Sequence, residues 1–469
     1  MAHIAVVGAG PAGLATSLFL ARRGHSVSLL EKDEADPPTA PERCFDDWSR
    51  RGVAQAKQPH LLLGRSSQVL QEEAPDLLHA FVAGGANLLT NEMQQVSPGK
   101  TEQAFYVCSR RMPLEAVLRR ETLKDRGVSL IRGAEVTGLA TRPGRDIPTV
   151  QGVKLDDGRV LDADLVVDAS GRWSPAPRWL QDVGASPASD VWQDCNLCYI
   201  TRWYRLKPDE RFPQARLPVR ATSSFAMFMC FPADADTFGL IATVSMHDPV
   251  RAQLRDPVIF DRVMNALPTI APWISRAEPI SGPHVLGRIE NRSRSLLSEG
   301  RPVVSGLALV GDSAAHTNPT MGRGVSLAYL QAQRLAQLAD TQDVSTARFA
   351  LEFERWKAAV LGVWFDTQVA ADQGRIIGIE RALAGEEPLP PQDAGAKFTA
   401  AVMALAGADP AVGRAFTQMS HMLLTPPEMA SDAAVQAAVA EYIGAGKPLT
   451  APLNGPSRAE FESLASRAA

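Results

Sequence analysis

Aromatic side chains make up only 6% of these 469 residues, and cysteine is scarcer still, with five. So small and odd a number of thiols cannot form a disulfide framework, so reduced cysteines and a cytoplasmic setting are the expectation. Cys195-Asn196-Leu197-Cys198 is a lone CxxC with no second pair and no histidine partner, so no metal site is expected. No apolar run reaches the ~18 residues of a bilayer-spanning helix, and the chain enters an apolar strand without a basic leader; neither stable membrane insertion nor secretion is expected. Lys and Arg number 48 against 52 Asp and Glu, a net charge of −4, and the basic residues form no dominant stripe, so no nucleic-acid partner is implied. There is no G-x-S-x-G elbow, and Ser313 and His316 lie close together without an identifiable acid partner. Internal repeats and low-complexity segments are also missing.

What is present is a glycine cradle at the start of the chain. Ile4-Ala5-Val6-Val7-Gly8-Ala9-Gly10-Pro11-Ala12-Gly13 runs an apolar strand into a tight turn and a helix, and Glu31 follows eighteen residues after the last glycine, ending Ser26-Val27-Ser28-Leu29-Leu30. Gly8 permits the turn, Gly10 lets backbone approach a diphosphate, and Gly13 lets the helix pack on the sheet. The helix N-terminus, at Pro11 and Ala12, then faces negative charge with free N–H groups. Glu31, with Lys32 beside it, stands where an acid accepts hydrogen bonds from a ribose. The motif specifies a dinucleotide without choosing between FAD and NAD.

A second segment makes the choice. Leu307-Ala308-Leu309-Val310-Gly311-Asp312 is a strand ending in Gly-Asp, and Pro319, Gly322 and Gly324 lead into a helix expected over Val325–Ala339. Gly311 permits close approach, Asp312 offers a carboxylate to ligand hydroxyls, and the helix start favours the negative charge of a reduced flavin. The spacing resembles the GD(x)6P motif of the para-hydroxybenzoate-hydroxylase-like flavoprotein monooxygenases, whose aspartate binds the FAD ribityl chain. Arg111-Met112-Pro113-Leu114-Glu115 is similar to that family's R-x-x-L-E helix entry, whose arginine reaches the flavin chain. Arg50-Arg51-Gly52-Val53-Ala54-Gln55, with His60, resembles R-x-G-V-x-Q-x4-H of the flavin epoxidases of polyether biosynthesis, the closest match in motif, with Arg50 in the matching position. FAD is the cofactor that this resemblance implies. One departure concerns the reductant: Ser170, in Asp168-Ala169-Ser170-Gly171-Arg172-Trp173-Ser174, stands where the family carries the aspartate of an Asp-Gly motif contacting FAD and the nicotinamide. NADH or NADPH therefore acts directly, or a partner flavin reductase supplies the electrons.

The implied fold is α/β: a Rossmann-type, glutathione-reductase-like FAD domain assembled from residues 1–75, 105–185 and 285–345, an antiparallel substrate domain over 186–284 with 76–104, and a helical region over 346–469. Strands are expected at Val128–Arg132, Ala134–Thr141, Thr149–Leu155 and Leu165–Ala169, with a turn at Asp156-Asp157-Gly158. In the insertion, Asn196–Leu206, Ala221–Phe231 and Thr237–Met246 form strands, and Tyr199, Trp203, Phe225 and Phe228 are the expected substrate-pocket residues. Alanine-rich helices are expected at Thr346–Ala371, Gly395–Leu405, Pro410–Met422 and Ala430–Ala440, covering the cofactor domain; lining the cavity entrance or a dimer contact are the alternatives.

The resemblance implies a monooxygenase that puts one oxygen atom from O2 into an apolar small molecule, by epoxidation or hydroxylation through a flavin C4a-hydroperoxide, in specialised metabolism. No catalytic base is assigned. Epoxidation is slightly favoured, because phenol hydroxylation usually wants one. A halogenase shares the frame, but no W-x-W-x-I-P segment occurs; a reductase or dehydrogenase of a prenyl-type substrate, or a non-enzymatic flavin sensor, also shares it.

Overall fold

Five strands form one parallel sheet, in the order Leu307–Leu309, Leu165–Asp168, His3–Val7, Ser26–Glu31, Val128–Arg132. Segments more than three hundred residues apart in sequence thus share one layer. The computed structural model describes every residue except 51, 97–104, 143–146, 451–452 and 467–469, so Arg51, Pro452 and part of segment 76–104 lie outside the described residues. The strand His3–Val7 carries apolar residues on both faces because both are covered. Ile4 and Val6 pack with helices Pro11–Arg22 and Gly324–Ala339, while Ala5 and Val7 pack with Leu139, Val153 and Trp179 on the other side. The helix Pro75–Ala83 buries Leu77, Leu78 and Phe81 in the first of these cores, whereas Leu89 and Tyr106 belong to the core of the antiparallel sheet.

That second sheet has six strands. Val219–Thr222, Ala226–Pro232, Thr237–Ser245, Leu197–Leu206 and Ala277–Pro279 lie side by side, and His284–Leu286 also pairs with Leu197–Leu206. The single strand expected over Ala221–Phe231 is in fact two, because the chain turns back at Ser223 and pairs Ser223 N–H with Ala226 C=O. Two of the smaller sheets matter for the site: Pro59–Leu62, Tyr106–Arg110 and Asn87–Leu89 form one, and Ser189–Asp194, Glu290–Ser295 and Ala315–His316 another.

After residue 346 the chain is helical, as expected, but with different bounds, and only its first helix packs in the core of the parallel sheet. The first helix runs unbroken over Ala347–Leu383, past Ala371 and through Gly374 and Gly378, which is roughly 55 Å. Thr346 caps it by accepting from Phe349 N–H. Phe349 and Phe353 sit in the core of the parallel sheet, and Leu361 and Trp364 in the core of the antiparallel one. Helices Ala394–Leu405, Pro410–Ser420, Pro426–Ser431 and Ala433–Gly444 bury Val402, Val412, Met429 and Val435 against the antiparallel sheet. They cover the cofactor unit only at its edge, where His421 and Met422 bond to Gly64 and Arg65. Their apolar stripes have a partner closer at hand, the broad face of the inserted sheet.

Candidate active site

Each cradle glycine has a steric reason. A Cβ on Gly8 would lie 2.7 Å from Ala169 O, and one on Gly13 would lie 1.8 Å from Gly8 O. Gly8 also has φ +101°, a left-handed conformation that favours glycine. Around Gly10 the nearest atom to such a Cβ is Arg111 Nη2 at 4.0 Å, so this backbone stands open to a cavity of about 1320 Å3. Gly10 offers no side-chain cap to the helix Pro11–Arg22, and the first N–H groups are left for a ligand. Gly311, φ +70°, lies so close to the cradle that its Cβ would meet Ala12 Cβ at 2.5 Å. The close approach there is between the two glycine motifs themselves, which holds Asp312 beside the cradle.

Electrostatics fix the second-strand acid. Glu31 accepts from Ala9 N–H (3.1 Å) and Asp33 N–H (3.0 Å), and from Arg50 Nη2 (2.6 Å). Arg50 spends its other nitrogens on Asp33 (3.0 Å) and Glu115 (2.6 Å), so it orients Glu31 from the cavity wall with all three nitrogens engaged. Glu115, wholly buried, also accepts from Arg111 Nε (2.8 Å). Arg111 Nη1 lies 3.3 Å from His60 Nε2; since a guanidinium only donates, Nε2 is the acceptor and Nδ1–H donates to Gln58 C=O. Burial and Arg111 push His60 down to about 3, and it is neutral.

Asp312 tests whether the cavity fits FAD. It faces the cavity with no hydrogen-bond partner for its carboxylate among the described residues, and burial raises its pKa, an effect partly offset by Arg111 and Arg172. A carboxylate left without donors fits a ligand that brings hydroxyls. Pro319, Gly322, Gly324 and Val325 line the same wall, and the helix Gly324–Ala339 begins with no side-chain cap. The residues present therefore fit an FAD: the helix start after Gly10 leaves N–H groups free for a diphosphate, and Asp312 leaves a carboxylate free for hydroxyls. Residues 1–339 match the family model described as FAD binding domain.

The chain belongs to this family. It is a flavin-dependent monooxygenase of the para-hydroxybenzoate-hydroxylase-like kind. A curated relative, Protein Rv3254 of Mycobacterium tuberculosis, is 29% identical over 361 residues, covering 71% of this chain and 72% of that protein. Among solved structures, the flavin-dependent brominase Bmp2 superposes with a TM-score of 0.58 at 15% identity, covering 94% of this chain and 100% of its own. OxyS anhydrotetracycline hydroxylase from Streptomyces rimosus gives 0.57 at 17%, covering 91% and 77%. At such identities these structures share the fold.

In this flavoprotein, removing the Asp312 carboxylate should loosen the cofactor. Asp312→Ala is expected to weaken FAD retention about ten- to hundredfold, the worth of a hydrogen bond to a charged group. Asp340→Ala removes an exposed partner of Arg23 and should leave FAD content unchanged. Fluorimetric titration of the apoproteins with FAD checks both; equal affinities would dissociate Asp312 from the cofactor.

The flavoprotein's cavity continues under the antiparallel sheet, and the structure corrects the expected pocket. Tyr199 does line it, donating its hydroxyl to Asn318 Oδ1 beside Thr320 Oγ1 (2.7 Å). Trp203 lies four residues further along the same face but does not line the cavity: Phe45 packs edge-on against it and its Nε1 donates to Lys57 C=O (2.8 Å). Phe228 points to the opposite face, where it and Phe225 pack on Phe461. The wall is made instead by Met227, Met229 and Phe231, the alternate residues of that strand, with Ile241. Thr367, Phe398, Val402 and Met419 from the C-terminal helices also line it, which was the alternative to their covering the cofactor domain. Ser313 is no nucleophile, for its hydroxyl donates to the backbone carbonyl of Asp168 and accepts from Val310 N–H (3.2 Å). Ser170 lines the cavity and donates to Asp168 Oδ1 (2.5 Å), while Ser174 donates to the second oxygen of that buried carboxylate.

Proposed function

We propose that this monooxygenase places one oxygen atom from O2 into a small, mainly apolar molecule held between the antiparallel sheet and the C-terminal helices, by epoxidation of an alkene or hydroxylation of an aromatic ring, in specialised metabolism. One observation carries the reading: a single cavity runs from the glycine cradle to the wall of Met227, Met229, Phe231 and Ile241. Its volume exceeds the roughly 300–1,000 Å3 usual for one ligand, as a cavity shared by a dinucleotide and a substrate requires. Reduced FAD supplies the activation of dioxygen. The chain's own residues hold the cofactor, orient the substrate and exclude water with apolar side chains.

Among the described residues, no side chain around the substrate end is poised as a general base. Burial pushes the Tyr199 and Tyr106 phenols far above their ordinary values. His421 is pushed down to about 4 by burial, and its Nδ1 is occupied as the acceptor of Gly64 N–H (3.1 Å). Epoxidation needs no base, which supports it over phenol hydroxylation. Incubating photoreduced enzyme in air with small-molecule extracts of its own organism tests the reading: a product one oxygen atom heavier is expected, and an unchanged extract would overturn it.

Electron supply follows from Ser170. With its hydroxyl tied to Asp168, this position offers no carboxylate to a nicotinamide. Direct reduction by NADPH or NADH is therefore expected to be slow, and a partner flavin reductase is the proposed source. Stopped-flow mixing with NADPH should leave the flavin absorbance unchanged for seconds; bleaching within milliseconds would show that the enzyme takes its electrons directly.

A further inference from the structure

Arg220 lines the cavity as a guanidinium with no carboxylate partner among the described residues. It lies on the short strand Val219–Thr222, opposite Met229, and residues directly opposite in an antiparallel pair share a face. Met227, Met229 and Phe231 define that face as the cavity wall, and Arg220 itself lines the cavity beside Tyr106. Its side chain makes no hydrogen bond or ion pair with any described residue. Arg375 is paired with Asp372, Arg216 donates to Thr417 Oγ1 (3.3 Å), and Arg323 lies over the Trp364 ring with the charge of Asp372 acting on it. Among the described lining residues, those from the sheet over 197–245 and from the helices after 346 include no Asp or Glu. Burial disfavours the charged form of Arg220, Arg375 adds to this, and no carboxylate opposes either. A guanidinium stays charged even so, and a desolvated charge without a partner is costly.

We propose that Arg220 is a substrate-docking residue, and that the substrate is an apolar molecule bearing one planar oxyanion, a carboxylate or an enolate, which pairs with this guanidinium at the far end of the cavity from the cradle. The proposal rests on the reading of this cavity as the substrate site and narrows the substrate class within it. Two parallel N–H donors match the two oxygens of such a group, and the pairing fixes which end of an otherwise apolar molecule turns toward the flavin. An apolar wall alone would hold such a molecule in either direction. A half-buried guanidinium without a carboxylate partner, facing Met227, Met229 and Phe231, supplies direction, since turning the molecule round would strand both charges.

The test is binding to the oxidised holoenzyme, without turnover, so its failure is separable from failure of the oxygenation reading, which oxygen labelling decides. The probes are 2-naphthoate and octanoate, with 2-naphthalenemethanol and octanol as neutral counterparts, followed by flavin absorbance perturbation and thermal melting in low-chloride buffer. Wild-type protein should bind at least one carboxylate ten- to hundredfold more tightly than its alcohol. Arg220→Met should abolish the preference, and Arg220→Lys should keep part of it. If the methionine variant does not retain FAD, Arg220→Gln takes its place. The proposal is overturned if carboxylate and alcohol bind alike or neither carboxylate binds, if the preference survives in the methionine or glutamine variant, or if sodium chloride alone gives the same rise in melting temperature.

Discussion

Gly13→Ala is expected to leave the protein almost without FAD. The added methyl would sit 1.8 Å from Gly8 O, a backbone atom that cannot swing aside as a side chain can. Either the helix Pro11–Arg22 must lift from the sheet or the turn at Gly8 must open, and both displace the N–H groups that face the diphosphate. Gly8 cannot yield easily, because Ala169 O and Ser170 Cα stand 2.7 and 3.0 Å from where its Cβ would be, leaving little room on that side. A loss of more than about a hundredfold in FAD affinity is expected, since overpacking here acts on the binding geometry itself. Gly362→Ala is the control. That glycine lies inside the helix Ala347–Leu383 with nothing within 4 Å of an added Cβ, so FAD content should hold and stability rise by about 0.5–1 kcal/mol. The ratio of flavin to protein absorbance in the purified variants, with chromatography of the released cofactor, reads both outcomes. Full FAD occupancy in Gly13→Ala would mean that the cofactor does not rest on this cradle.

The largest effect on stability is expected at Asp234. Its carboxylate accepts from Arg110 N–H (2.7 Å), Arg110 Nη2 (2.7 Å) and Ser109 Oγ (3.2 Å), and both Asp234 and Arg110 are 1% exposed. The pair ties the strand Tyr106–Arg110 to the turn between the strands ending at Pro232 and beginning at Thr237. Asp234→Ala would leave Arg110 buried and uncompensated, at a cost of about 3–5 kcal/mol. Replacing both partners, Arg110→Met with Asp234→Leu, should restore most of that loss, because the desolvated charge goes with its partner. Arg348→Ala, which removes an exposed pair with Glu352, should change stability by less than about 0.5 kcal/mol. Urea unfolding of the FAD-loaded proteins ranks the three variants; equal midpoints for Asp234→Ala and Arg348→Ala would show that the buried pair contributes nothing.

Asp234 also shows where sequence reading stops. Within Pro232-Ala233-Asp234-Ala235-Asp236 it reads as an ordinary turn residue, and its partner lies 124 positions away. The cradle and the Gly311-Asp312 segment were legible because their residues answer to one local geometry: a turn, a close approach, a helix start. The strands Leu165–Asp168 and Leu307–Leu309 were legible as apolar runs, while their meeting in one sheet came from family resemblance alone. The pocket was harder. Strands Leu197–Leu206, Ala226–Pro232 and Thr237–Ser245 are covered on both faces, so apolar residues run continuously and alternation cannot say which side meets a ligand. Phe228 and Met229 are equally apolar neighbours, yet one packs on Phe461 and the other meets the cavity. Arg220 carried a faint signal, a charge in the middle of Val219-Arg220-Ala221-Thr222, hidden because the turn at Ser223 was read as strand. The helices after 346 showed their apolar stripes without showing which surface those stripes would meet.

Isotopic oxygen gives the most direct test of the central claim, that this FAD-binding fold transfers oxygen from O2 to a molecule held under the sheet. Reduced enzyme is mixed with 18O2 in ordinary water, and in parallel with ordinary O2 in 18O-labelled water, and the product mass is compared. The heavy atom should appear only from the gas, with no product formed without oxygen. Label drawn from water, or turnover undiminished under anaerobic conditions, would contradict the claim and point to a flavin reductase or dehydrogenase built on the same frame.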